Sequence, residues 1–238
     1  MTLVQSKILY QPGRRLAIQG PRKNTGQPVS CDKFSRVDQL NILQINISGL
    51  STKIVELMKI LHDEHIHVAL VEETILPNHL KNSSLPTAGY TSYQCKCPKC
   101  QGILTLIRND IQAEVEYKPA GDVDHQVINV WKGKIKYTLH HIYCPPGSTS
   151  VLPFNDTTYR KCIIAGDFNA HMPTLGYNDW NNRGREVEHL CLSSNLILQQ
   201  NIDSKPTLLH KRHNTVSRPD LTFVSADIQD ITTTKVLG

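Results

Sequence analysis

Short apolar runs, each closed by polar or turn-forming residues, recur along the chain from Leu40 onward. "LNILQINI", "HVALVEET", "QGILTLIRND", "HQVINVW", "KIKYTLHHIY", "LILQQ" and "DLTFVS" read as strands from their length and β-branched content. "STKIVELMKILHDEH" differs from these. It opens with Ser/Thr and places Ile54, Leu57, Met58 and Leu61 at helical spacing, which predicts an amphipathic helix. "GREVEHLCLSSN" predicts a second, shorter one, and no internal repeat is visible. Strands outnumber helices, yet helices are interspersed among them. That pattern predicts an α/β fold in which two sheets pack face to face with helices outside.

One run ends abruptly. In "RKCIIAGDFNAHM", Cys162–Ala165 is a short interior strand, Gly166 supplies a tight turn, and Asp167 and Asn169 then emerge from the same strand end. An ordinary Asx turn after a strand has the same appearance. Other strands, however, end in the same kind of chemistry, at Asn46, Glu72–Glu73, Tyr143 and Asp220. If these strands share two neighbouring sheets, their ends converge on one rim. The gathered carboxylate and amide oxygens would then suit a hard divalent cation, Mg²⁺ first among them. Buried acids without a cation or basic partner would be costly. Singly, Tyr143 also fits a core tyrosine and Glu72–Glu73 a solvated strand end.

Composition narrows the setting. At 238 residues the chain is one large domain or two small ones, with 39% hydrophobic and 20% charged residues. No apolar run approaches the ~18 residues of a membrane span, and no signal-like apolar block opens the chain. An intracellular protein, nuclear or cytoplasmic and not tied to a membrane, is predicted. The net charge of +5 belongs to residues 1–39, which hold seven Lys/Arg against Asp32 and Asp38; the remainder holds 19 of each sign. This Pro-, Gly- and base-rich leader is predicted to be disordered, either a solvated tail or a loose hold on a polyanion. The seven cysteines are predicted to be reduced. "CKCPKC" brings Cys95, Cys97 and Cys100 together, three thiols where a closed zinc site wants four ligands. A hairpin loop with free thiols is the simpler reading.

Several blocks then come in a telling order: "QINISGL" with Asn46, "LVEET" with Glu73, "QGILTLIRND", "IYCPPG" with Tyr143, "AGDFNAH" with Asp167 and Asn169, "NRG" at Asn182–Gly184, and "SRPDLTFVS" with Asp220. Together they resemble the endonuclease/exonuclease/phosphatase superfamily, which includes DNase I and the apurinic/apyrimidinic endonucleases. The likeness is greatest to the endonuclease domain of non-LTR retrotransposons. It implies a DNase I-like four-layer α/β sandwich over residues 40–238, two packed mixed, mainly antiparallel sheets flanked by helices. It also implies phosphodiester hydrolysis with Mg²⁺, Mn²⁺ being the alternative. On this likeness Glu73 and Asn46 hold the metal, Asp167 takes a proton from the attacking water, and Asn169 orients water and phosphate. Tyr143 donates to the charge developing on phosphorus, and Asp220 orients a phosphate-binding histidine. The substrate implied is double-stranded DNA, nicked to prime a reverse transcriptase encoded downstream in a longer polyprotein. Lys96, Lys99, Arg108, Arg183, Lys211 and Arg212 are candidates for phosphate contacts, though singly each also fits a solvated surface charge.

The chain also departs from that pattern. The Ser-Asp-His that ends the family's domain is missing, and none of the eleven histidines lies beyond His213. The family's last strand goes with it, so some core surface is expected to be uncovered and the domain to be truncated at its C-terminal side. Loss of one such group costs about 10²–10⁴ in rate, so weak or no nuclease activity is expected. "GSTSVLPFNDTTYR" is too short for an outer helix the family has there. Glu72 replaces a glutamine, and its charge either tightens metal binding beside Glu73 or raises a carboxylate pKa. Ser48 stands where the DNA-repair branch has an acid. Two other readings stay open: a phosphoinositide or lipid-headgroup phosphatase of the same fold, and a non-catalytic remnant that binds nucleic acid.

Overall fold

Alternation along the strands decides what each face of the sheets touches. In β2 (Leu40–Asn46), Leu40 and Ile42 point one way and Leu43 and Ile45 the other, and all four are fully buried. A strand buried on both faces needs a layer on each side. The computed structural model, which describes residues 5–10, 39–76, 85–95, 101–154, 156–199, 208–210, 215–217 and 219–237, supplies those layers.

The elements in order are β1 (Gln5–Tyr10), β2, α1 (Ile54–Asp63), β3 (Val68–Glu72), β4 (Tyr90–Cys95), β5 (Ile103–Arg108), β6 (Gln112–Tyr117), β7 (Asp124–Lys132), β8 (Ile135–Tyr143), β9 (Cys162–Asp167), α2 (Asn182–Ser193), β10 (Leu196–Leu198), β11 (Leu208–His210), β12 (Thr215–Ser217), β13 (Asp220–Ser225) and β14 (Thr232–Leu237). One six-stranded sheet has the order β14-β1-β2-β3-β5-β4, the other β10-β13-β9-β8-β7-β6, and β11 pairs with β12 apart from both. Each six-stranded sheet contains one parallel pair, β2–β3 and β8–β9, and is otherwise antiparallel. The first parallel crossover runs through α1, as such connections usually do. The second runs from Cys144 to Lys161 without a helix, as the Pro153-containing stretch led us to expect.

Three apolar clusters make the sandwich. Between the sheets, Leu40, Ile42, Val68 and Leu70 meet Leu139, Ile163, Ala165 and Val224. On the outer face of the first sheet, Leu43, Ile45, Ala69 and Val71 pack on Leu57, Met58 and Leu61 of α1. On the outer face of the second, Ile142, Ile164, Leu221 and Phe223 pack on Val187 and Leu190 of α2. The result is four layers, helix–sheet–sheet–helix.

Two expectations need correction. Gln5–Tyr10, placed by composition in a disordered leader, form β1 and pair with both β2 and β14; the remainder of the leader lies outside the described residues apart from Gln39. The reason is backbone satisfaction: β2 would otherwise present an unpaired, buried edge. For the same reason the uncovered core surface expected beside a missing strand does not appear at β2, whose apolar side chains are sealed. Sequence patterning also passed over β4, β6 and β14. In β6 the burial alternates between exposed and half-buried along "QAEVEY", which makes the pattern of an edge strand weak.

Candidate active site at the inter-sheet rim

The inter-sheet core stops being apolar at one end, and it does so strand by strand at positions of the same parity. Leu40 and Ile42 are followed on that face by Gln44 and Asn46; Val68 and Leu70 by Glu72; Leu139 by His141 and Tyr143; Ile163 and Ala165 by Asp167. In β13, which runs the opposite way to β9, Val224 is preceded by Thr222 and Asp220. The registers align these ends, with Asn46 opposite Glu72, Tyr143 opposite Asp167, and Asp220 opposite Asp167. Gly166 makes the β8–β9 approach possible, since a Cβ there would lie 1.8 Å from the Ile142 carbonyl oxygen.

Asp167 is 3% exposed and sits at the centre. Its Oδ2 accepts from Asn46 Nδ2 at 2.9 Å, and its Oδ1 accepts from the Asn169 backbone N–H at 3.1 Å. Asn46 Oδ1 accepts in turn from the Ser48 N–H at 3.1 Å. Burial, then the neighbouring Asp220 charge, pushes the Asp167 carboxyl up to about 8, against the pull of the Asn46 hydrogen bond. Tyr143 is fully buried, and its hydroxyl donates to Glu73 Oε1 at 3.2 Å. Burial and the Glu73 and Asp167 carboxylates raise the Tyr143 pKa far out of reach, so it remains a donor. Ser48, Glu73 and Asn169 all hold left-handed backbone, at φ 45°, 50° and 47°. Such conformations cost of order 1–3 kcal/mol for a non-glycine residue and persist where neighbours impose them. Here the Gly49 N–H donates to the Glu73 carbonyl at 2.8 Å, and the Thr74 N–H to that of Gly102 at 3.2 Å.

Behind this front lies a buried polar chain that joins Glu72 and Asp220 to Gln44, His141, Thr105 and Gln126, four residues that sequence reading missed. Gln44 Nε2 donates to Asp220 Oδ1 at 2.7 Å and to Glu72 Oε2 at 3.3 Å. Glu72 Oε1 is 3.2 Å from His141 Nε2, and His141 Nδ1 is 3.0 Å from Thr105 Oγ1. The Thr105 hydroxyl donates to Gln126 Oε1 at 2.6 Å. With its proton so placed, Thr105 accepts from His141 Nδ1–H. Burial pushes Glu72 well up, with the Asp220 and Asp167 charges adding to it, and pushes His141 down to about 3. The pair is therefore neutral, the Glu72 hydroxyl donating to His141 Nε2. The carboxyl raised at position 72 is that of Glu72 itself, with burial as the largest cause. The signal available in the sequence was a polar residue, Gln44 or His141, on the core-facing parity of an otherwise apolar strand.

Other predicted residues lie elsewhere. Arg183 is 6% exposed and turned inward: its guanidinium donates to Glu186 Oε2 at 2.5 Å, Ser148 Oγ at 3.0 Å and the Ser150 carbonyl at 2.8 Å. Its N–H groups brace the loop after β8, so the phosphate contact expected of it is corrected to an internal tie. Arg108 pairs with Asp110 at 2.6 Å, and its N–H donates to the His67 carbonyl beyond the start of β3, the end opposite Glu72. That is roughly 15 Å along the strands from the rim, so Arg108 is not brought to the site. Lys96, Lys99, Lys211 and Arg212 lie outside the described residues, as do Cys97 and Cys100. Cys95 is a free, half-buried thiol that accepts from Gln126 Nε2 at 2.8 Å, and burial raises its pKa to about 11.

Among the described residues no cluster of three or more His, Cys, Asp or Glu forms a ready cage. Glu73 and Asn46 nonetheless offer oxygens beside the Asp167 carboxyl, which burial first and the Asp220 charge second make costly to ionise without a nearby cation. Few protein carboxylates and open positions are what Mg²⁺ accepts, so the residues fit that ion. No described helix is long and apolar enough to cross a membrane.

Comparison with known proteins follows the same line. The endonuclease-reverse transcriptase family profile matches residues 137–237. A probable RNA-directed DNA polymerase from transposon X-element of Drosophila melanogaster is 30% identical over 186 residues, 71% of this chain and 18% of that protein. The chain thus spans less than a fifth of its curated relative. The endonuclease domain of TRAS1, a telomere-specific non-LTR retrotransposon, superposes with a TM-score of 0.57 at 19% identity, covering 79% of this chain and 86% of that one. An AP endonuclease from Leishmania major gives 0.56 at 14% identity, covering 78% and 79%. At these identities the structural likeness is one of fold. Profile, transposon relative and sandwich point the same way: the chain resembles the endonuclease/exonuclease/phosphatase superfamily and, within it, the endonuclease domains of non-LTR retrotransposons.

Proposed function

We propose that this chain is a DNA endonuclease domain that hydrolyses one strand of double-stranded DNA, using Mg²⁺ or Mn²⁺, to prime a reverse transcriptase carried in the same polyprotein. The observation that carries this reading is the gathering of Asp167, Asn46 and Asn169 beside the Glu73–Tyr143 pair, from four strand ends. Asp167 takes the proton of the attacking water, its buried carboxyl having a raised proton affinity in the metal-free protein. Asn46 and the Asn169 N–H each hold one Asp167 oxygen, which fixes the plane of the base. Tyr143, kept protonated, turns its hydroxyl from Glu73 to the phosphoryl oxygen on which charge develops. Glu73 and Asn46 are the residues that would hold the metal, which supplies Lewis-acid polarisation of the phosphate when bound. Among the candidate phosphate contacts, Lys96, Lys99, Lys211 and Arg212 stay in this reading, and an intracellular, nuclear site of action goes with it.

The transposon relative, whose name is that of an RNA-directed DNA polymerase, supports a longer polyprotein as the setting. The test is nicking of supercoiled plasmid with Mg²⁺, beside release of inorganic phosphate from inositol phosphates. Nicking that falls about 10²-fold or more in Asp167→Asn and Glu73→Ala supports the reading. Phosphate release with no nicking favours the phosphatase, and loss of neither activity on substitution sinks both.

A further inference from the structure

The geometry points to Asn181 as a positioning residue that holds Asn169, and with it the Asp167 carboxyl, in place. Asn181 immediately precedes α2 and makes three hydrogen bonds from one carboxamide. Its Oδ1 accepts from the Gly184 N–H at 2.7 Å, capping the helix, and from the His171 N–H at 2.9 Å. Its Nδ2 donates to the Asn169 carbonyl at 2.8 Å. Two N–H donors on one side and a carbonyl on the other settle which end of the amide is oxygen.

Asn169 needs such a hold. Its backbone is left-handed, and its other ties are its N–H to Asp167 Oδ1 and its Nδ2 to the Cys144 carbonyl at 2.9 Å. Asn181 is the tie that comes from outside the strand-end loops, so it connects the α2 layer to the rim. The neighbouring residues serve the same junction. A Cβ on Gly184 would lie 1.9 Å from the His171 carbonyl oxygen, so only glycine lets α2 come this close. Arg183 fastens the loop after β8 from the same helical turn. The "NNRG" block thereby acquires a role: the first turn of α2 fastens the loops that follow both parallel strands of the second sheet.

The catalytic half of this inference rests on the nuclease reading, so the test has two readouts. Asn181→Asp keeps both accepted bonds and places a favourable negative charge at the helix start, but sets an acceptor against the Asn169 carbonyl. A residue that only caps the helix would show no loss on this change. In the full chain, Asn181→Asp is expected to retain melting temperature and Gly184 amide protection, while Asn169 amide hydrogen exchange quickens about tenfold or more. Nicking kcat is expected to fall about tenfold or more with KM for DNA little changed, because small misplacements near a reacting group are costly in rate. Asn181→Ala should lose melting temperature as well. Asn169 protection and kcat both unchanged in Asn181→Asp would overturn the inference. If the parent chain does not nick, the nuclease reading fails by itself, and the exchange of Asn169 alone decides the role of Asn181.

Discussion

Asp167 and Asp220 stand directly opposite each other in the β9–β13 ladder, so two carboxyl groups share the polar mouth of the inter-sheet core. Burial and that neighbour raise Asp167 from an ordinary 3.8 to about 8. The folded protein therefore binds a proton that the unfolded chain releases. The stability this contributes is full below the unfolded value of 3.8 and is lost as pH rises through about 8. Buried His67, His125, His140 and His141, pushed down to about 3 or 4, give wild type and Asp167→Asn alike an opposite slope below 6.5; without divalent cations, the melting temperature of wild type relative to Asp167→Asn is therefore predicted to decline between those two pH values. Added Mg²⁺ should flatten that decline, by favouring the charged carboxylate. A difference in melting temperature between wild type and Asp167→Asn that stays constant from pH 4 to pH 8 in chelator would contradict the assignment.

Glu72 and His141 act as one neutral, proton-sharing unit inside the sandwich. Glu72→Gln keeps an N–H donor for His141 Nε2 and an acceptor for Gln44, so it should change stability little. His141→Phe strands the Glu72 hydroxyl and leaves Thr105 Oγ1 only its bond to Gln126, and should cost about 1–3 kcal/mol for the polar group left unsatisfied. Combining His141→Phe with Glu72→Leu should recover part of that loss, since an all-apolar replacement leaves fewer orphaned groups. Urea unfolding of wild type, His141→Phe, Glu72→Leu and the double variant measures the coupling.

Gly166 is fixed by the neighbouring strand and by nothing chemical. A methyl group there would have to displace the backbone carbonyl of Ile142. Gly166→Ala is predicted to destabilise by about 1–3 kcal/mol or more, the usual cost of overpacking, and to weaken nicking by parting β8 from β9. Thermal melting and the plasmid assay, run together, check both.

Arg183 is predicted to matter for stability and not for the salt dependence of DNA binding. Its guanidinium meets the Glu186 carboxylate of its own helix and a hydroxyl and a carbonyl in the loop behind Tyr143, where lysine cannot reproduce the fork. Arg183→Lys should lower melting temperature while leaving the slope of DNA affinity against salt unchanged. A residue contacting a phosphate would instead reduce that slope by about one.

Much of the architecture was legible along the chain, because it is a matter of period. The apolar alternation of β2, β3, β8, β9 and β13 and the helical spacing of α1 state which faces must be covered, and two-sided burial demands layers. The polar residues ending those strands, Asn46, Glu73, Tyr143, Asp167 and Asp220, were visible as a group for the same reason. Gln44, His141 and Asn181 were not, since each sits in an ordinary local context and acquires a partner only across a sheet gap or a loop.

What the amino-acid order determined by itself was the parity of each strand and the chemistry at its end, since local backbone geometry alone decides those. Which strands became neighbours, in what register, and whether β1 would close the edge of β2 were decided only in three dimensions. Hydrogen-bond satisfaction and packing between distant segments set those choices, and neither has a local signature.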